Sequence, residues 1–345
     1  MGTGAGALGA CGERGPRAAA KSGLIHDARI RCPPMRVRLG LLSTAAISGA
    51  ILGARGEDAP FDVVAVASRD LGRARGYAET NGVPRAYGSY DELLADPEVD
   101  GVYIALPNAL HHAWTMRALG AGKHVLCEKP YTRRPEEVEQ AWDEAERTGL
   151  VLTEGYMWRH GAQTRLFREL LPRVGELHAV HVTFTARLTR PDDPRWVREL
   201  GGGALLDVGC YCGSAARLVV GREPDAVAGT AFPHGEVDGR FAGALSFGDV
   251  TATFACSLVS PLVQTIEVVG AEGVLRVPVA FSRPPGIVVL DGEEHRVDPG
   301  NYYRDELDDF CAAIRGERSV LIDRAEMLGQ ARALDALASN ASSRG

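Results

Sequence analysis

The 345-residue sequence predicts an α/β protein in two parts: a doubly wound parallel sheet, then an α+β domain built on a large, mainly antiparallel sheet. Two patterns carry this reading. From Met35 to about residue 155, short apolar runs alternate with helical stretches, the rhythm of strands buried on both faces and joined by helical crossovers. Beyond residue 156 the runs alternate apolar with polar residues and are divided by turn signals such as Ala271-Glu272-Gly273, as expected for strands with one covered face.

The elements follow in order. Val37–Leu42 is a short apolar strand, followed by a small-residue turn and a helix over about 45–54. Phe61–Ala67 is β-branched and reads as the second strand, with a helix over 71–80. Residues 101–106 make a strand, 110–119 a helix and 124–127 a further strand. Pro135–Thr148 is an acidic amphipathic helix with proline in its first turn, where a missing N–H is tolerated. Residues 151–154 complete the first sheet. A helix over 163–171 leads to a long strand over 176–188, and strands follow at 226–232, 241–247, 250–258, 264–269 and 274–277. Helices read at 202–220, 303–315 and 324–338. The implied domains are 35–155 and 156–340. Residues 1–34 are rich in Gly, Ala and Arg without apolar periodicity, and read as a disordered extension or as sequence upstream of a true start at Met35.

A net charge of −7 without any basic run excludes an extended nucleic-acid surface. No apolar stretch approaches the roughly 20 residues of a membrane helix. The seven cysteines show no metal-ligand spacing, and reduced thiols suit a cytoplasmic protein. His178 and His181 fall on opposite faces of a strand, so no metal site is expected.

A dinucleotide fold of Rossmann type binds pyrophosphate in the turn after its first strand. That turn reads Gly40-Leu41-Leu42-Ser43-Thr44-Ala45-Ala46-Ile47-Ser48, with Ser43, Ala45 and Ser48 at the three positions of the G-x-G-x-x-G pattern. Small residues and hydroxyls suit phosphate there; a plain strand–helix turn capped by Ser or Thr fits equally. About 20 residues on stand Ser68-Arg69-Asp70. A hydroxyl followed by a guanidinium suits the 2′-phosphate of NADP, whereas Asp70 keeps NAD as the alternative.

Cys127-Glu128-Lys129-Pro130 ends the strand over 124–127, and Leu106-Pro107-Asn108 ends the one over 101–106. Together with Glu154-Gly155-Tyr156-Met157-Trp158-Arg159 and the run from Gly201 through Asp207 to Tyr211, these segments resemble the glucose–fructose oxidoreductase, inositol dehydrogenase and rhizopine catabolism superfamily. The likeness extends from Met35 almost to the C-terminus. Two departures stand out: the fingerprint lacks its glycines, and Tyr211 replaces histidine, which resembles the branch of dihydrodiol and xylose dehydrogenases.

The resemblance implies hydride transfer between nicotinamide and the CH–OH or C=O group of a sugar, polyol or dihydrodiol. Lys129 would hold the reacting oxygen and Tyr211 would exchange its proton, an adjacent ammonium lowering the phenol's pKa. Asp207, at i→i+4 from Tyr211, would anchor substrate or orient Lys129. Cofactor contacts fall to Ser43, Thr44, Ala45, Ala46, Ile47, Ser68, Arg69, Leu106, Pro107, Asn108, His111, Glu128 and Lys129. Trp158 and Arg159 would line the substrate pocket, although Trp158 reads equally well as core at the domain junction. The resemblance also implies a cis bond before Pro130 and a homodimer or homotetramer. A glycosidase acting by transient oxidation and a non-catalytic dinucleotide sensor are the competing functions.

Overall fold

The structure, a computed structural model, describes residues 1–2 and 36–343. The expectation for residues 1–34 and the choice of Met35 as a start lie outside the described residues.

The first sheet has six parallel strands in the order β3-β2-β1-β4-β5-β6: β1 (Val37–Leu42), β2 (Phe61–Ala67), β3 (Arg85–Tyr87), β4 (Gly101–Ile104), β5 (His124–Glu128) and β6 (Leu152–Gly155). The order reverses between β1 and β4, and open α/β sheets take their ligands in the crevice outside the carboxyl ends at such a point. The crossovers carry α1 (Ser48–Gly53), α2 (Leu71–Asn81), α3 (Tyr90–Leu94), α4 (His111–Gly120) and α5 (Pro135–Thr148). Helix α1 starts three residues later than its sequence pattern, because 45–47 belong to the preceding turn. Asp70 caps α2 by accepting the Arg73 N–H, and Gly82 at φ 63° ends it in the left-handed conformation that glycine adopts freely.

The second half contains α6 (Met157–His160), α7 (Ala162–Leu170), β7 (Leu177–Arg187), a π-turn (Leu205–Gly209) running into α8 (Cys210–Val220), β8 (Ala226–His234), β9 (Val237–Phe247), β10 (Val250–Ser257), β11 (Val259–Gly270), β12 (Val274–Val277), β13 (Ile287–Leu290), β14 (Glu293–Arg296), α9 (Tyr302–Ile314), α10 (Arg324–Ser339) and β15 (Ala341–Ser343). Nine strands pair in the order β14-β13-β12-β11-β7-β10-β9-β8-β15. The expected meander is corrected in two places: β10 runs parallel to β7, and β15 parallel to β8. Between β7 and β10 the chain passes through α8 and the β8–β9 hairpin, so β10 returns in the same direction. Phe254 faces Val182, which faces Ile266, and all three are buried.

One helix of the 156–340 segment packs on the first sheet. Helix α9 returns to the first sheet, where Leu307, Phe310 and Cys311 join Ile51, Phe61 and Leu126 in one core. Burying a side chain such as Phe310 stabilises by about 1.5–3 kcal/mol, so this helix is integral to the nucleotide half. The 198–220 stretch reaches a mean hydropathy of 1.3 over 18 residues, more than the sequence reading allowed, but 78% of that window is buried and forms core.

Candidate active site

At the end of β1, Ser43 adopts φ 142°, a backbone region that favours glycine. Two hydroxyls hold it there: Ser43 Oγ accepts the Ala45 N–H at 2.8 Å, and Ser48 Oγ donates to the Ser43 carbonyl at 3.1 Å. The serines thus reproduce a tight turn that the fingerprint usually makes with glycine. The amides of Thr44, Ala46 and Ile47 have no acceptor among the described residues, so the turn presents N–H donors suited to a pyrophosphate. At the end of β2, Ser68 is buried and Arg69 exposed. Arg69 and Arg73 both lie near the Tyr90 phenol, which makes Arg73 a second cation that the sequence reading missed. The Asp70 carboxylate is engaged in capping α2.

At the end of β5, Lys129 precedes a cis peptide bond to Pro130. Its Nζ donates to the Asp207 carbonyl at 2.9 Å and to Asp207 Oδ1 at 3.2 Å. The lysine and aspartate side chains are only 12% and 15% exposed. Asp207 lies in the π-turn, and its carbonyl accepts both the lysine and the Cys210 thiol, the latter at 3.4 Å. Burial by itself would lower the Lys129 pKa, but the Asp207 charge, with Cys210 and Glu128 nearby, raises it above the ordinary value. Asp207 answers in kind: burial opposes its ionisation, yet Lys129 and Arg195 hold its carboxyl below the usual value.

Tyr211 departs from expectation. It is 5% exposed and packed among Tyr156, Phe184 and Phe281, with its hydroxyl on Met157 Sδ at 3.7 Å. Lys129 Nζ lies 4.9 Å from the centre of its ring, a cation–π contact rather than a contact with the phenol oxygen. The phenol's pKa therefore goes up, not down: burial, then the charges of Glu128, Cys210 and Asp207, push it well above 10.

His111 packs against backbone. It is fully buried, with Nδ1 2.8 Å from the Pro130 carbonyl and Nε2 2.8 Å from the Leu106 carbonyl. Burial pushes its pKa down to about 4, and the neutral ring, with a single N–H, donates to one of these two carbonyls while its other nitrogen lies against the second. Asn108 donates from Nδ2 to the Gly201 carbonyl at 2.8 Å, tying the loop after β4 to the glycine turn and leaving Oδ1 as its remaining acceptor. Leu106 and Pro107 are half-buried beside it. Glu128 accepts the Tyr103 hydroxyl and the Lys129 amide, and burial raises its pKa. Close by, Glu306 of α9 has both carboxyl oxygens buried with no partner among the described residues, and burial followed by Glu128 pushes its pKa well up.

The profile of the oxidoreductase family with an NAD-binding Rossmann fold matches residues 46–156, and that of the GFO/IDH/MocA C-terminal domain matches 168–276. The chain belongs to this oxidoreductase family. A D-xylose 1-dehydrogenase (NADP(+)) from Haloferax volcanii is 36% identical over 310 residues, covering 86% of this chain and 95% of its own. The trans-1,2-dihydrobenzene-1,2-diol dehydrogenase of Xenopus laevis is 32% identical over 272 residues, covering 76% and 82%. A 3-ketoreductase from Actinomadura kijaniata, solved with NADP and TDP-benzene, superposes with a TM-score of 0.84 at 29% identity, covering 89% of this chain and 98% of that one.

In this oxidoreductase Trp158 takes the core position, one of its two readings, and Arg159 is buried beside it. Trp158 is 2% exposed and stands edge-on to Phe281. Arg159 is 7% exposed and reaches Ser214 Oγ at 3.2 Å and Glu326 at 3.4 Å, which joins α6 to α8 and α10. A cleft of about 580 Å³ opens next to the lysine's loop, lined by Asn108, Pro130, Arg198, Leu206 and the β8–β9 hairpin. Among the described residues no cluster of three His, Cys, Asp or Glu side chains could hold a metal.

Proposed function

We propose that this oxidoreductase prefers NADP and acts at a CH–OH or C=O carbon of a sugar or related polyol, with Lys129 binding the reacting oxygen. The observation that carries the reading is the Lys129–Asp207 pair at the carboxyl edge of β5, within the family fold. When bound, the nicotinamide gives or takes the hydride. Because Asp207 keeps Lys129 protonated, the lysine acts as a donor and a positive charge for an oxygen that becomes more negative in the transition state. It does not act as a base.

Tyr211, held neutral by burial, suits proton donation during carbonyl reduction better than proton removal. The free amides of Thr44, Ala46 and Ile47 would receive the pyrophosphate, and Arg69 with Arg73 the 2′-phosphate. The cleft carries carboxylates (Glu199, Glu236, Asp238) as well as Arg198, a mixed lining that suits a neutral polyhydroxyl compound. The test is to mix the protein with NADP or NADPH and a panel of aldoses, polyols, ketosugars and dihydrodiols, following the reduced-nicotinamide band. Net turnover with a member of these classes supports the reading; inactivity across the panel in both directions contradicts it.

A further inference from the structure

We propose that Arg195 is a positioning residue of this site, a second cation that locks the Asp207 carboxylate and so aims Lys129. The inference rests on the proposed role of Lys129. Asp207 divides its oxygens between two cations: Oδ1 faces Lys129 at 3.2 Å, and Oδ2 faces Arg195 Nη1 at 3.2 Å. Held by the lysine alone, the carboxylate could turn about its broad terminal torsion; held at both oxygens, it cannot.

Arg195 is fixed in turn. Asp193 accepts from its Nε at 2.9 Å, from its Nη2 at 3.0 Å and from its backbone amide at 3.1 Å, leaving Nη1 for Asp207. The triple glycine fixes the backbone beneath it. The Gly203 amide donates to the Arg195 carbonyl at 3.0 Å, and a Cβ at Gly202 would stand 2.4 Å from that same oxygen, so only glycine lets the chain at 202 lie against the helical turn that carries the arginine. Glycine turn, Arg195, Asp207 and Lys129 therefore form one connected support. Lysine could not reproduce the planar fork that binds Asp193 while it also reaches Asp207.

The test compares the wild-type protein with Arg195→Ala and Arg195→Lys. The midpoint of Asp207 ionisation is read by carboxyl ¹³C NMR, with Asp207→Asn identifying the signal, alongside kcat, KM, NADP binding and melting temperature. Asp207 is faced by Lys129 and Arg195, with Cys210, Tyr211 and Glu128 close by. Losing one of the two cations should raise its midpoint by about one pH unit or more in Arg195→Ala. In the same variant kcat should fall by about 10², as misplacement of a reacting group does, with NADP binding nearly unchanged. Arg195→Lys should recover part of the midpoint and less of kcat. An unmoved midpoint in a folded Arg195→Ala protein overturns the proposal, as does a moved midpoint with kcat unchanged. If the wild-type protein turns over no member of the panel, the functional reading fails, while the NMR midpoint still decides whether Arg195 locks Asp207.

Discussion

Ser43→Gly is expected to tighten NADP binding at almost no cost in stability. Ser43 sits at φ 142°, where a non-glycine residue carries about 1–3 kcal/mol of strain. Glycine removes that strain but forfeits the bond from the Ala45 amide to Ser43 Oγ, about 0.5–1.5 kcal/mol. It also loosens the unfolded chain by about 0.4–1 kcal/mol. These terms nearly cancel, so folding stability should stay within about 1 kcal/mol of wild type. Binding should change more, because the freed Ala45 N–H joins those of Thr44, Ala46 and Ile47 as a donor to phosphate. A hydrogen bond to a charged group contributes roughly 1.5–3 kcal/mol, so Kd for NADP should fall about tenfold or more. Calorimetric titration with NADP, paired with urea denaturation, reads both quantities. A variant that is equally stable yet binds NADP tenfold more weakly would show instead that the Ser43 hydroxyl itself holds the phosphate.

Arg69→Ala should weaken NADP by about 1.5–3 kcal/mol and NAD far less, and equal weakening in parallel titrations would assign Arg69 to adenine or to folding instead. Glu154 is buried where its carboxyl accepts the Tyr131 amide, and burial pushes its pKa up to about 7. The unfolded chain releases this proton at lower pH than the folded one, so the group's contribution to stability declines as pH rises from about 4.5 to 7, by about 3 kcal/mol, and is level above that. Glu154→Gln keeps the acceptor, so relative to wild type it should gain stability between pH 5 and pH 8 in urea titrations; a constant difference across that range would contradict the assignment.

Much of the first sheet was legible because strands buried on both faces must be mainly apolar, and Val37–Leu42 and Phe61–Ala67 are, apart from Arg38 and Asp62 in their second positions. β3 left no signal, being three half-buried residues at an edge. Amphipathic helix α9 was legible as a helix but not in its destination, since an apolar stripe at Leu307 and Phe310 does not say which sheet it covers. Lys129 and Asp207 were found through motifs, and the structure brings them together. The fate of His111 was hidden because its partners are backbone carbonyls at 106 and 130, which carry no side-chain signature. Trp158 and Arg159 adjoin the site in sequence, yet their side chains turn into the core. Arg195 lies in a stretch rich in Pro, Asp and Arg that reads as loop. The signal that could have found it is Gly201-Gly202-Gly203, which announces a close backbone approach without naming what approaches.

In the proposed mechanism Lys129 holds the reacting oxygen next to the nicotinamide and the neutral Tyr211 hydroxyl gives it a proton. The most direct measurement is kcat for wild type, Lys129→Ala, Tyr211→Phe and the double variant on a substrate turned over with NADP, with NADP binding measured in each. Lys129→Ala should lose about 10² or more in kcat, and Tyr211→Phe a comparable amount. The double variant should lose far less than the product of the two, with NADP affinity nearly unchanged throughout. Near wild-type turnover by Lys129→Ala would contradict the account.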